Sequence, residues 1–593
     1  MCGIVGCNLV RPLNQEDVHR LRYMTSLLEH RGPDGQGEYL NLDKGVYLGH
    51  RRLSIIDLDD RSSQPMTSGR HVISYNGELY NFCELRDALS PSFSFKTSGD
   101  TEVILKSWMK WEHDSLHKFD GMFATAIWDG LELHLFTDIF GEKPLFLFEA
   151  EDGIYFASEA NALIKGFGLQ FDPHGFEQED FLYLGYIRPP ATGYKHLVNL
   201  SAGAYVNIAK GKIVSNNKYW VPPEPHIGRG KIEPINEKEI NGIRDILCDS
   251  LQKRLVSDVP VGLFLSGGID SSLIASLLKR ELNTSMEAFS VSPAENYGVD
   301  EGMIAKNIAK DLGIDHTIVH FDDKNTIEKL PEELFRLFGL PNDNITSVAV
   351  YLMCRELNNK IKVAICGLGG DEVFYGYNKY WLAYRLRYFY RFPKFFAFLS
   401  AIAKNYITKA KLLHELTNGD IDSRYLRLKN MKYHQILENI TNHRMPKGLL
   451  SSKNVDFAFQ LRAFDLRYSL TQSHIPATER GSMQASLEVR TPYLSRKLLN
   501  YVSDLDQRSL IAYGKKTVLR RLLSRYIDPN LLLKGKQGFI FPAGRYFRSA
   551  NQASPLIKGL QNDEVEKIWT DRANPAHQQL LIRVAMLKYF YGK

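Results

Sequence analysis

Apolar and polar positions change rhythm once along this chain. Up to about residue 200 the apolar residues come in short runs separated by turn residues. Leu131, Leu133 and Leu135 interleave with Glu132, His134 and Phe136, the period-2 pattern of a half-buried strand. GMFATAIWD before it and GIYFASE after it predict further strands. PPEPHIGRGKIEP, residues 222–234, combines proline, glycine and charge and reads as a linker. Beyond it the pattern alternates. VGLFL (261–265), AFSVS, HTIVHF and KVAIC (362–366) read as buried strands. Between them lie helical stretches such as DEGMIAKNIAKDLG, which sets Ile304, Ile308 and Leu312 four apart on one face. Strands alternating with helices predict a parallel, doubly wound sheet.

Length and composition narrow this picture without redirecting it. A chain of 593 residues exceeds what one core organises, so two to four domains are expected. The net charge of +6 is small for this length and carries no nucleic-acid signature. Six scattered cysteines without a CxxC pair argue against structural zinc and for a reducing, cytoplasmic setting. The start lacks a basic segment followed by an apolar one, so no secretory signal is read. The apolar run FFAFLSAIA (395–403) is far below the ~20 residues that span a bilayer.

Two strings after predicted strands carry chemistry. SGGIDSS (266–272) joins a strand end to a helix start, the edge where open parallel sheets bind ligands. Its glycines permit close approach of an anion, and the helix N-terminus supplies free N–H groups and a favourable dipole. The hydroxyls of Ser266, Ser271 and Ser272 can add donors. A glycine-serine helix cap is the plainer alternative for such a turn. CGLGGDEVFYGY follows KVAIC and places Asp371 at the same edge. Asp270 and Asp371 together suit a magnesium ion, which prefers hard oxygen ligands; Asp371 and Glu372 would equally complement a helix N-terminus.

The first half adds MCGI with Cys2, HRGPD at 30–34, HRRLSIIDL at 50–58, YNGELYN at 75–81 and SGDTE at 98–102. Together these resemble the class II glutamine amidotransferases. With SGGIDSS and GLGGDE following, the chain resembles the glutamine-hydrolysing asparagine synthetase family, from MCGIVG to KQGFIFP at 536–542. The resemblance implies an α/β protein with three parts. Residues 2–205 would form a four-layer αββα glutaminase of the Ntn-hydrolase type, and 206–236 a linker. Residues 237–593 would form a doubly wound parallel ATP-pyrophosphatase domain with helical additions.

The same resemblance assigns roles. Cys2 would be the nucleophile, using its own α-amine as base once the initiator methionine is removed, and covalent catalysis splits one hard hydrolysis into two acyl transfers. Asn76 and the Gly77 N–H would form the oxyanion hole. Arg52 would clamp the glutamine carboxylate, Asp100 its ammonium, and Leu53, Ile55 and Glu78 would complete that pocket. Leu265, Ser266, Gly267, Gly268, Asp270, Ser271, Ser272, Val291, Cys366 and Gly367 would line an ATP site. Lys516 would face the phosphates, and Mg2+ would sit on Asp270 and Asp371. Glu488 and Arg490, in SMQASLEVRTPYL, are expected to form a structural ion pair. Ammonia from glutamine would cross an internal tunnel to an acyl-adenylate, most simply of aspartate. The expected partners are small molecules, with no nucleic acid, and the resemblance implies a homodimer.

The acceptor end departs from the family. Leu368 stands where the family has an acidic residue. Ala477-Thr478-Glu479-Arg480 replaces lysine-x-aspartate-arginine, Asn161 a common lysine, and TDIFGEKPL the usual arginine-aspartate-arginine start. These departures keep amidation of another carboxylate, such as a sugar uronate in surface-polysaccharide assembly, as the alternative. A third reading, RNA modification, rests on the aromatic-basic stretch YWLAYRLRYFYRFPKFF (380–396), whose rings and cations could stack bases and meet phosphates. A helical surface or partner-binding face is the plainer explanation of that stretch.

Overall fold

The structure, a computed structural model, describes residues 2–293, 301–321, 326, 329–387, 419–450, 456–532, 560–572, 574 and 577–592. KQGFIFP and most of the 380–396 stretch lie outside the described residues.

The first half is built on two antiparallel six-stranded sheets. Its strands are β1 (Gly3–Leu9), β2 (Gly35–Asn41), β3 (Val46–Arg52), β4 (Met66–Ser68), β5 (His71–Leu79), β6 (Gly121–Trp128), β7 (Leu133–Thr137), β8 (Phe146–Ala150), β9 (Gly153–Ala157), β10 (Leu197–Asn199), β11 (Ala204–Ala209) and β12 (Lys212–Lys218). One sheet runs β10-β8-β9-β1-β3-β2 and the other β12-β11-β7-β6-β5-β4. Strand alternation decides which core each residue joins. Ile4, Leu48, Val72, Ala124, Leu133 and Leu135 fill the space between the sheets. Val5, Cys7 and Leu9 turn outward onto α1 (Gln15–Ser26) and α4 (Ala160–Phe167). Ile73, Phe123 and Phe136 turn outward onto α2 (Phe82–Leu89) and α3 (Thr101–Trp111). The order of layers is therefore helix, sheet, sheet, helix.

Two expectations change. The strand around Leu133 is not half-buried, because both of its faces are covered in this sandwich. His134 and Phe136 lie against Trp108 of α3, with ring centroids 4.8 and 5.6 Å away, while Leu131 falls outside the strand and is exposed. The second sheet also continues past residue 205. β11 pairs with β7 and β12 pairs with β11, so 206–218 is sheet and not linker.

The second half centres on five parallel strands, β13 (Val261–Phe264), β14 (Ala288–Pro293), β15 (His316–Phe321), β16 (Val363–Ile365) and β17 (Glu488–Arg490). They lie in the order β15-β14-β13-β16-β17. The chain steps one way from β13 to β15 and then returns to the other side of β13. The β13 and β16 loops thus face each other across the switch point, where such sheets open a crevice. α5 (Glu237–Arg254) precedes β13, the crevice walls come from α6 (Ile269–Ser276), α7 (Glu301–Leu312), α8 (Thr346–Leu357) and the start of α10 (Thr517–Leu523), and α9 (Ile475–Met483) packs along α8. α5 opens on a capping box, with Asn236 and Glu239 exchanging bonds between side chain and backbone. Among the described residues, no helix is long and apolar enough to cross a membrane.

Candidate active sites

Cys2 sits just ahead of β1 and meets the middle of β5 in the facing sheet. Its backbone N–H donates to Asn76 Oδ1 at 3.0 Å. Asn76 is fully buried, and its Nδ2 has no partner. A buried amide N–H2 without an acceptor costs about 1–3 kcal/mol, so its retention points to a group that arrives from outside. The neighbouring Gly77 has φ +152°, and a Cβ there would stand 2.0 Å from Met122 O. Backbone alone fits at this crossing of β5 and β6. Burial pushes the Cys2 thiol up, against the pull of the amino terminus, the Leu53 N–H and the Arg52 guanidinium.

The remaining residues expected around glutamine surround this point. Arg52 ends β3, and the Asp57 and Asp59 carbonyls accept from its two terminal nitrogens, which fixes the orientation of the fork. Asp100 precedes α3 and accepts from Tyr75 Oη at 2.9 Å and Leu79 N at 2.8 Å. Burial raises the carboxyls of Asp100 and Glu78, and Glu488 raises Glu78 further. Leu53 and Ile55 are buried in an apolar cluster with Tyr80, Met122, Val363 and Met483. That cluster crosses from one half of the chain to the other.

The nucleotide-sized space lies at the switch point of the parallel sheet. A cavity of about 400 Å³ is lined by Leu265, Ser266, Gly267, Gly268, Asp270 and Ser271 after β13, Val291 of β14, and Cys366, Gly367 and Asp371 after β16. Lys516 closes it, standing before α10 at φ +51° with its Nζ on Asp270 and, at 2.6 Å, on Asp371 Oδ1. Burial opposes its charge, but the two carboxylates prevail and raise its pKa. Gly376 is required here, since a Cβ would lie 1.9 Å from Asp371 Oδ1 and 2.3 Å from Lys516 Cε. Ser272 is the exception in the expected set. It does not line the cavity, because its hydroxyl turns into the helix and donates to Gly268 O at 2.7 Å.

No group of three or more His, Cys, Asp or Glu side chains forms a metal cluster among the described residues. Asp270 and Asp371 do converge on one cation, the Lys516 ammonium. Two carboxylates completed by phosphate oxygens are what Mg2+ commonly takes, so this donor set fits the ion.

Sequence reasoning missed the charged residues that join the halves. Arg31, quoted above only as part of HRGPD, is wholly buried; its Nε donates to Cys2 O at 3.1 Å and its Nη1 to Glu159 at 2.8 Å. Its Nη2 pairs with Glu479 of α9. Glu488 and Arg490 form the expected ion pair, at 2.6 Å, but Arg490 Nη2 also reaches Glu78 at 3.5 Å. Arg490 lies opposite Ile365 in the sheet, and its carbonyl accepts from Cys366 N at 3.0 Å. One residue thus touches the backbone of the nucleotide crevice and a carboxylate beside Cys2.

The departures from the family do not gather at the acceptor end, as the sequence suggested. Asn161 donates to Arg336 O at 3.0 Å across the two halves, and Thr137 to Ser201 O at 2.7 Å. Glu479 faces Arg31. Leu368 is half-buried against an apolar cluster that includes Phe289, Cys366 and Val489, one residue past Gly367 of the cavity lining.

Comparison with known proteins agrees with this division. A family model described as a glutamine amidotransferase domain matches residues 1–220, and one described as asparagine synthase matches 242–591. The chain is 28% identical over 587 residues to asparagine synthetase [glutamine-hydrolyzing] 1 of Bacillus subtilis, covering 94% of this chain and 90% of that one. It is 29% identical over 590 residues to a putative asparagine synthetase [glutamine-hydrolyzing] of Mycobacterium tuberculosis, covering 93% and 89%. A third relative, asparagine synthetase [glutamine-hydrolyzing] 3 of Bacillus subtilis, is 26% identical, covering 96% and 92%.

Proposed function

The chain belongs to the asparagine synthase family and carries an amino-terminal glutamine amidotransferase domain, and from that premise we propose that it amidates a carboxylate with nitrogen from glutamine. The observation that supports this reading most is the pairing of two sites in one chain. One sets Cys2 against an unpartnered Asn76 amide, and the other sets Lys516 between two carboxylates at a nucleotide-sized crevice.

In the first site the α-amine of Cys2, freed by removal of Met1, takes the thiol proton as the sulfur attacks the side-chain amide carbon of glutamine, and later gives it to the departing nitrogen. The oxyanion forms between Asn76 Nδ2 and the Gly77 N–H, while Arg52 and Asp100 hold the carboxylate and ammonium of the substrate. Collapse releases ammonia and leaves a thioester, which water cleaves to glutamate. In the second site the acceptor carboxylate attacks the α-phosphorus of ATP, and pyrophosphate leaves toward Lys516. Asp270 and Asp371 would hold Mg2+, which screens the phosphate charge when bound. Ammonia then displaces AMP from the acyl-adenylate to give the amide. The apolar cluster of Leu53, Ile55, Met122, Val363 and Met483 spans the two halves and supports a sheltered route for neutral ammonia.

Aspartate is the acceptor favoured by the family. Leu368 motivates a second reading, since a leucine stands where the family has an acid, one residue past Gly367 of the crevice lining, and a uronate-type carboxylate is its candidate. Pyrophosphate release, driven by glutamine or by ammonium chloride, separates the two across a panel of aspartate and hexuronates. Release with aspartate supports the first reading; release with a uronate and none with aspartate overturns it. Cys2→Ala should abolish glutamine-driven release and retain ammonium-driven release. Loss of both would refute the division into two sites.

A further inference from the structure

We infer that Glu479, which belongs to the synthetase half, is a positioning residue of the glutaminase half. This inference rests on the reading of Cys2 as the nucleophile.

The argument follows the bonds around the start of β1. Cys2 is held at both ends of its backbone, its N–H by Asn76 Oδ1 and its carbonyl by Arg31 Nε. With both held, rotation of the thiol about χ1 is the main freedom left to the nucleophile. The position of the Cys2 carbonyl therefore depends on where the Arg31 guanidinium lies. That group is planar and rigid, so its remaining nitrogens determine its plane. Glu159 of its own half takes Nη1, and Glu479 takes Nη2 from across the interface. With Glu159 alone the fork could pivot about one contact. Glu479 is the second anchor.

Glu479 is itself well fixed. It lies on α9, which packs along α8, and α8 supplies Thr346, Ala349, Val350 and Met353 to the nucleotide cavity. The adjacent Arg480 lies 3.3 Å from Glu159 and donates to Ser158 O at 3.2 Å. Ser158 Oγ in turn accepts from Ile4 N at 3.0 Å. The bonds form a closed circuit from Cys2 through Arg31, Glu479, Arg480 and Ser158 back to Ile4, two residues along the chain. Around it the Arg31 and Arg480 guanidinium groups face the Glu159 and Glu479 carboxylates, with His30 Nε2 3.1 Å from Glu159. Ser486 Oγ, also from the synthetase half, donates to His30 O at 2.7 Å and pins the turn that carries Arg31.

The test uses the full chain with glutamate release measured in the absence of ATP and acceptor, so the acceptor's identity does not enter. Glu479→Gln removes the charge and keeps the shape. A displaced nucleophile should lower kcat by about 10- to 100-fold. KM for glutamine should stay within about twofold, because no group that binds glutamine has changed. Glu479→Asp, which retains the charge, should recover most of the lost kcat. ATP binding with magnesium chloride, followed by calorimetry, should be unaltered in both variants. An unchanged kcat in Glu479→Gln overturns the inference. So does Glu479→Asp as impaired as Glu479→Gln, or ATP binding lost together with glutaminase activity. An unsubstituted protein that releases no glutamate would instead overturn the reading of Cys2.

Discussion

Replacing Asn76 tests the glutaminase site most directly, because its side chain does two separable things. Oδ1 accepts from Cys2 N at 3.0 Å, and Nδ2 is buried without a partner. Asn76→Ala removes both, whereas Asn76→Asp keeps an acceptor for Cys2 and replaces the donor with a second oxygen. In the ground state the effects of the alanine variant oppose one another. A hydrogen bond of about 1 kcal/mol is lost, while an unsatisfied buried amide, itself costing about 1–3 kcal/mol, disappears. Stability should therefore shift by no more than about 2 kcal/mol. In the transition state nothing offsets the loss. One oxyanion donor is worth about 2.7–4 kcal/mol, so kcat for glutamine hydrolysis should fall ~10²–10³-fold. The aspartate variant should fall at least as far, since it sets an acceptor, ionised or not, against a developing anion. Steady-state glutamate release without ATP gives kcat and KM, and thermal melts check the fold. An aspartate variant within about threefold of the unsubstituted kcat would place the oxyanion elsewhere and refute the geometry.

Lys516→Met removes the cation between Asp270 and Asp371 and should cut pyrophosphate release by at least ~10²-fold through loss of charge stabilisation at the leaving group; glutamate release should be unchanged, and retained pyrophosphate release would remove Lys516 from the mechanism. Burial beside Asp138 pushes the Glu142 carboxyl up to about 8. Its raised pKa favours the native state fully at low pH, and this contribution is lost as pH rises from the ordinary carboxylate range through about 8. Glu142→Gln should therefore melt higher than the unsubstituted protein at pH 8.5 and show no such advantage near pH 4.5; equal melting temperatures at both would show that the Glu142 carboxyl is not raised in the native state.

What the chain disclosed in advance follows from how far its signals reach. Cys2, Asn76, Asp100, SGGIDSS and GLGGDE are each short strings, and a short string declares its type without its partner. The strand pattern was legible for the same reason, but burial on both faces of β7 was not. That depends on α3 lying over His134 and Phe136, and nothing in the alternation at 131–136 records it. The continuation of the sheet to Lys218 was hidden because KIVSNNK is polar and lies at an edge, where one side of a strand meets water. Arg31 and Glu479 are 448 positions apart. Taken singly, each is most simply a solvated charge, and only the docking of α9 against the turn at Glu29–Arg31 makes them a buried pair.

The same sorting by contact changes the meaning of the departures from the family. Glu479 belongs to the glutaminase circuit, Asn161 caps carbonyls across the interface, and Thr137 bonds the loop at Ser201. None of these three is among the described residues that line the synthetase crevice. Ala477 is buried in the general core and adds no polar group. Leu368 directly follows Gly367, which does line the crevice, so the acceptor question turns on Leu368. A leucine supplies neither a counter-charge nor a proton acceptor, and an ammonium brought against it without another partner would be desolvated at a cost of several kcal/mol. An acceptor whose reacting carboxylate is flanked by C–H and hydroxyl groups meets no such penalty. The acid nearest in sequence among the residues following Leu368 that is not already held by Lys516 is Glu372, whose carboxyl burial pushes up to about 7. Tyr377 Oη donates to it at 2.7 Å and His474 Nε2 lies 3.8 Å away. Among the described residues, Glu372 with Tyr377 and His474 is thus a neighbour of Leu368 along the chain that can hold a proton where leucine cannot.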